Sequence, residues 1–176
     1  GISVRKIAGV TEALSRVKVG KDAVSKIARR LEEQQRAWRE RPLGEKAYPY
    51  LYLDATYLKV LWGASVTSMA LLACVGVDEE GFREVLAVEV AGSEKGAAYT
   101  SLLRRLVDRG LKGVRLVVSD DHEGIKAAVA GELPEVGWQR CVVHFERNVL
   151  SHVPASAMGE VAEALGVRLQ GDGYRV

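Results

Sequence analysis

The sequence predicts an α/β fold, a mixed five-stranded sheet flanked by helices and preceded by a small helical segment. Three observations carry that prediction. Runs rich in β-branched and aromatic residues crowd the stretch from Tyr48 to Ala91. Beyond Lys95, helical and strand periods alternate as successive β-α-β units would. The first 47 residues hold only helical spacing and a basic surplus.

In "VRKIAGVTEALSRV", Val4, Ile7, Val10, Leu14 and Val17 fall at helical spacing. "KVGKD" breaks the pattern. "AVSKIARRLEEQQRAWRERP" resumes it through Val24, Ile27, Leu31 and Trp38 and stops at Pro42. Two helices about a Gly-bearing turn are compatible with a helix-turn-helix, whose second helix would carry Lys26, Arg29 and Arg30. Helical hairpins that bind nothing are also common.

"YPYLYLDATYLKVLW" and "SVTSMALLACVGV" predict the first two strands. "DEEG" has the chemistry of a tight turn, so "FREVLAVEVA" should return beside the second strand. "KGAAYTSLLRRLVDRGL" predicts a helix with Leu102, Leu103, Leu106 and Val107 inward and Gly110 at its C-terminal cap. "GVRLVVSD" is a short strand, "HEGIKAAVAGEL" a helix, "WQRCVV" a brief strand and "HFERNVLSHV" the start of another helix.

At 176 residues and 48% hydrophobic, the chain suits one globular domain with a small extra module. No apolar run reaches the ~18–20 residues of a membrane span, and the N-terminus lacks the pattern of a signal peptide. Cys74 and Cys141 make no disulfide framework, so a cytoplasmic setting is expected. The net charge of +2 is unevenly spread. Residues 1–47 hold 12 Lys or Arg against 6 acids, whereas residues 48–176 hold 13 against 17. A basic head on an acidic body points to a polyanion, although a solvated helix surface is the commoner meaning of such runs.

Asp54 lies inside the first predicted strand, where burial of a carboxylate is costly unless compensated and no turn or cap explains it. An exposed face shared with Tyr52 and Thr56 is the plainer alternative. Asp120 and Asp121 end the fourth strand, where open α/β sheets place ligands. Either acid suits a helix cap. If the first and fourth strands are neighbours, Asp54 and one of this pair meet, and two such carboxylates call for a divalent cation. Hard oxygen ligands favour Mg²⁺ or Mn²⁺ over zinc. Cys141 and His144 have Cys-x-x-His spacing, but zinc needs two further ligands, and Cys74, His122 and His152 lie at no zinc-motif spacing. A nucleophilic Cys–His pair is also conceivable, yet Cys141 suits packing better.

Taken together, "YLYLDATYLKV", "GVDEEGFREVLAVEV", "LLRRLVDRGLKGVRLVVSDDHEGIKAAV" and "WQRCVVHFERNV" resemble the Mutator-type bacterial DDE transposases. On that family's signature fall Asp120, Gly124, Ile125, Leu133, Pro134, Val136, Gln139 or Arg140, Cys141 and His144, while Glu132 stands where a small residue is usual. The resemblance covers residues 48–150 closely and 1–47 more loosely. It implies a ribonuclease-H-like core over 48–152, after a basic helical DNA-binding segment over 1–47. Residues 153–176 would begin a helical insertion or form an aberrant tail.

The resemblance also implies that Asp54 and Asp120 are the first two catalytic and metal-ligating acids, leaving Asp121 as the cap. Cys141 and His144 would have a structural or DNA-adjacent role. The complete site would hold two Mg²⁺ or Mn²⁺ ions ~3.5–4 Å apart and act on DNA by in-line displacement. Lys59, Arg140 and Arg147 are candidate phosphate contacts. The partners would be the DNA ends of the element, its target and further copies of the chain, at the nucleoid and not at a membrane. The family's third acid is a Glu far beyond the Cys–His motif. Glu160 and Glu163 lie too early to take its place, and "LGVRLQGDGYRV" departs from the family pattern. The expectation is therefore a truncated transposase. Its alternatives are an inactive DNA-binding or regulatory derivative, or a ribonuclease-H-like nuclease.

Overall fold

The computed structural model describes residues 20–62, 65–91 and 95–166. Helix α1 spans Lys21–Glu40 and stops before Pro42. Strands β1 (Tyr50–Trp62), β2 (Ser65–Val77) and β3 (Arg83–Ala91) follow as an antiparallel meander. Then come α2 (Lys95–Asp108), β4 (Leu116–Ser119), α3 (Glu123–Glu132), β5 (Gly137–Arg140), α4 (Val142–Ser151) and α5 (Met158–Ala164). The sheet order is β3-β2-β1-β4-β5, with β4 parallel to both β1 and β5. This is the ribonuclease-H-like arrangement that the resemblance implied. The first helix expected within residues 1–19 lies outside the described residues, so the helix-turn-helix is represented by α1 alone.

The core lies on one face of the sheet. Along β1, Leu51 and Leu53 are buried while Tyr50, Tyr52 and Asp54 are exposed, as the strand period dictates. Ala70, Leu72 and Cys74 of β2 continue the buried row. In β3 the register slips opposite Cys74 and Val75, which pair with Ala87 and Val85. The extra residue is Leu86, so Leu86 and Ala87 are buried in succession, against strict alternation. Helix α2 covers this face with Tyr99, Leu102, Leu103 and Leu106, and α3 adds Ile125, Ala128 and Val129. Each leucine so buried stabilises the fold by ~1.5–3 kcal/mol. Val107, expected inward, is 41% exposed because the helical turn carries it past the sheet-facing stripe.

Three local expectations change. In α1 only Val24 of the apolar stripe is buried, while Ile27 and Leu31 are more than half exposed. The helix is held to the body near its end, where Arg41 donates to the carbonyl of Val85 and to Glu84, so its earlier turns find little to pack against. Helix α4 starts at Val142 rather than His144, because β5 ends at Arg140 and Cys141 takes the N-cap position. Lastly, β1 and β2 run on as a two-stranded ribbon past their other partners, since β1 pairs with β4 only through Leu53 and β2 with β3 only from Ala70.

Candidate functional site

Strands β1 and β4 run side by side in parallel, pairing Tyr50 with Leu116 through Leu53 with Ser119. One further step of that register sets Asp54 beside Asp120, at a strand spacing of about 4.8 Å. Both stand at the carboxyl end of the parallel pair, where such sheets gather ligands. The buried Tyr99 phenol is pushed up to about 12, by burial first and then by the charges of Tyr57, Asp54 and Asp120. One phenol thus feels both carboxylates.

Asp54 is not buried, against expectation: its side chain is 62% exposed. It faces away from α2 and α3, on the side that Tyr52 and Thr56 share, so no desolvation has to be offset there. Its Oδ1 accepts the N–H of Ala55 at 2.8 Å, and Asp120 Oδ1 accepts that of Asp121 at 2.7 Å. Among the described residues no Lys or Arg forms an ion pair with either acid; Asp54 meets His144 instead, Oδ1 to Nε2 at 3.9 Å. The Nδ1 of His144 is buried without a hydrogen-bond partner.

The cap expected of Asp121 is supplied by His122, whose Nδ1 accepts the N–H of Gly124 at 3.1 Å. Helix α3 starts one residue too late for Asp121 to reach its free N–H groups. Asp121 instead binds Lys126 Nζ at 2.7 Å and lies 3.5 Å from Arg140. The hydrogen bond from Lys126 comes first in holding its carboxyl below the usual range. Lys126 also stacks over Trp138, whose Nε1 donates to the buried Ser119 Oγ at 2.9 Å. This cluster fixes the backbone on both sides of Asp120.

The basic candidates fall in different places. Arg140 ends β5 over the Phe145 ring at 5.3 Å, with its Nε buried and without an acceptor. Arg147 is exposed one turn along α4 from His144. Lys59 is exposed on the ribbon beyond Asp54. Lys26, Arg29 and Arg30 are exposed on α1, and the structure does not bring them to the acids. Cys141 is partly exposed, and its N–H donates to the Ser119 carbonyl at 2.6 Å. Cys74 is fully buried, and burial pushes its thiol up to about 12.

The donor set suits a hard cation. Two exposed carboxylates on one edge match the way Mg²⁺ is held, by one or two acids with water and phosphate oxygens completing the shell. Among the described residues no group of three His, Cys, Asp or Glu gathers to hold a metal, so neither zinc nor a complete two-ion set is assembled there.

Residues 1–168 match the family model described as "Transposase, Mutator family". The chain belongs to the Mutator family of transposases. It is 48% identical over 154 residues to the transposase for insertion sequence element ISRM5 of Rhizobium meliloti, covering 88% of this chain and 38% of that protein. Against the transposase for IS256 in transposon Tn4001 of Staphylococcus aureus it is 35% identical over 165 residues, covering 94% and 42%. The chain thus spans about two fifths of the length of these relatives. Among solved structures it is similar to the Drosophila P element transposase strand transfer complex, with TM-score 0.40 and 11% identity over 86% of this chain and 44% of that one.

For this Mutator-family chain, sequence reasoning missed Tyr99 and the Asp121–Lys126–Arg140 cluster. Tyr99 lies one turn before Leu102 and Leu103 on the buried stripe, so the helical period places it in the core but not beside the acids. The spacing of Asp121 and Lys126 gives no such signal, because they pair across a helix start. No helix among the described residues is long and apolar enough to cross a membrane.

Proposed function

We propose that this chain is the part of a Mutator-family transposase that supplies Asp54 and Asp120 to a divalent-metal site for DNA strand cleavage and strand transfer. The observation that supports the reading is the parallel register of β1 and β4, which ends at Leu53 with Ser119, the residues just before the two acids. Asp54 and Asp120 hold Mg²⁺ or Mn²⁺, two ions in the complete site, with a third acid completing the set. When bound, the metal supplies activation of an attacking water or 3′-hydroxyl and neutralises charge on the leaving oxygen.

The chain's own residues orient the phosphate. His144 presents Nε2 beside Asp54, where a donor can meet a non-bridging phosphate oxygen. Arg140, Arg147 and Lys59 neutralise backbone phosphates on either side, which makes affinity fall steeply with salt. Asp121 and Lys126 hold Arg140 and the Asp120 loop in register rather than touching DNA. The partners are DNA at the element ends and target, and further copies of the chain.

The test is a nicking and strand-transfer assay on labelled duplex with Mg²⁺ or Mn²⁺. Metal-dependent nicking by a transposase that carries this segment together with the third acid, lost in Asp54→Ala and in Asp120→Ala, is the expected result. DNA binding with no cleavage in either metal would make the chain a binding or regulatory derivative. Cleavage confined to RNA–DNA hybrids would make it a nuclease of another kind.

A further inference from the structure

Beyond their other partners, β1 and β2 continue as a ribbon of two strands, residues 54–62 and 65–69. An isolated pair of strands is marginal in water. This pair also shows apolar side chains on both faces. Leu61 and Val66 lie opposite each other on one side, 63% and 67% exposed, and Leu58 is exposed on the other. From residue 55 to residue 69 the only charged side chain is Lys59.

The open edges of the sheet are not guarded alike. Natural sheets blunt an edge with charge, shortness, proline or a cover. On β3, Arg41 donates to the Val85 carbonyl and Arg109 to the Leu86 carbonyl, each at 2.8 Å. On the opposite side, β5 is four residues long and ends at Arg140. The free part of β1 carries Lys59 and, at Asp54, the contact with His144. The free part of β2 reads "SVTSM", with no charge and no proline. Among the described residues no third strand lies beside it.

Charge decides what class of partner fits. A polyanion or an anionic membrane surface needs several cations, and one lysine is too few. The centre of a protein–protein interface is depleted of charge, as this ribbon is. Geometry narrows the partner further. Two copies related by a two-fold axis normal to the sheet keep the same face up, so residues set opposite each other must alternate in step. An axis through Thr67 spans residues 65–69 end to end: Ser65 meets Met69, Val66 meets Ser68, and Thr67 meets its own copy. No charges are opposed, and Thr–Thr is a favourable cross-strand pair. The edge is complementary to itself over its whole free length.

We propose that residues 65–69 of β2 form the contact between two copies of this chain, an antiparallel β2–β2 pairing that joins the two ribbons into four strands. The contact is isologous, the same patch on both copies. It is far smaller than the ~20–30 residues a side of a standard stable interface, so the dimer dissociates on dilution. The inference deepens the reading that further copies of the chain are its partners and rests on that part of it alone. It leaves Asp54 accessible, because that acid lies on β1, the other strand of the ribbon.

The experiment is sedimentation velocity of the whole chain over a concentration series, with substitutions of the exposed Thr67. Wild type should shift from monomer to dimer as concentration rises. Thr67→Lys and Thr67→Glu should each stay monomeric, since the axis sets like charges against each other. An equimolar mixture of the two should regain the dimer, which mixing could not do for chains that had merely misfolded. Thr67→Cys should form a disulfide dimer under mild oxidation, because opposed residues of an antiparallel pair lie ~4.5–5.5 Å apart, within disulfide reach. Leu61→Cys, three strand spacings or ~14 Å from its copy, should not, and neither should wild type with Cys74 and Cys141. A wild type that is monomeric at every concentration overturns the proposal. So does a dimer that persists in Thr67→Lys, which would use another surface, and so does a mixture that stays monomeric. In a longer transposase that carries this segment, a dimer in which Thr67→Cys does not cross-link would mean that the rest of the polypeptide covers the ribbon, again against the proposal. None of these outcomes bears on Mn²⁺ binding by Asp54 and Asp120, so failure here leaves the metal site standing.

Discussion

Asp78 turns the β2–β3 hairpin through its own side chain. Its Oδ1 accepts the N–H groups of Glu80 at 3.1 Å and Phe82 at 2.8 Å, and its Oδ2 accepts from Lys46 at 3.1 Å. Burial pushes this carboxyl up, but the N–H of Phe82 and the Lys46 ammonium outweigh it and hold the carboxyl below its usual range. A depressed folded value means stability that is present above the unfolded carboxylate value, ~3.9, and lost as pH falls through the lower folded one. Asp78→Asn should therefore lower the melting temperature at pH 7 and flatten its fall below about pH 4. Equal melting curves at pH 7 would refute this. At this scale the sequence was partly legible. "DEEG" announced the turn, and Gly81 takes φ +88° there. Asp54 was singled out for a burial that it does not have, because alternation alone does not say which face a helix will cover. Asp121 was misread as a cap because its ion partners, Lys126 and Arg140, come from α3 and β5.

Among the elements, strands and helices with a strong period were read almost to the residue, and junctions were not. β2 appears as the run Ser65–Val77 that its sequence outlined. The β5–α4 junction moved because Val142 and Val143 look like strand, yet the 2.6 Å hydrogen bond from Cys141 to Ser119 ends pairing and lets the helix begin. The bulge that buries Leu86 beside Ala87 is invisible in a two-residue period. Gly76 tests how tightly these elements close. A Cβ there would lie 2.7 Å from both Leu86 Cδ1 and Tyr48 Cδ1, so no room exists unless the core shifts. Gly76→Ala should destabilise the fold by about 1–3 kcal/mol through overpacking, read as a lower urea midpoint with an unchanged m-value. A midpoint equal to wild type would show that the β2–β3 core is looser than described.

Over the whole molecule, two halves of different texture meet at one edge. The meander β1–β3 provides Asp54 and the β4–α3 unit provides Asp120, joined by a crossover through α2 that the alternation of periods foretold. What composition could not foretell is the one-sided core: α2 and α3 cover the Leu51 and Leu53 face, while Tyr50, Tyr52, Val85 and Val90 of the other face stay exposed. Nor could it place the arginines of α1 and α2 around one cavity, since they are distant in sequence. The convergence of the two acids is the claim on which the proposed chemistry depends. A Mn²⁺ titration of wild type, Asp54→Ala and Asp120→Ala tests it most directly. The account predicts that each substitution weakens binding at least tenfold, ~1.4 kcal/mol. Equal Mn²⁺ affinity in all three would contradict it.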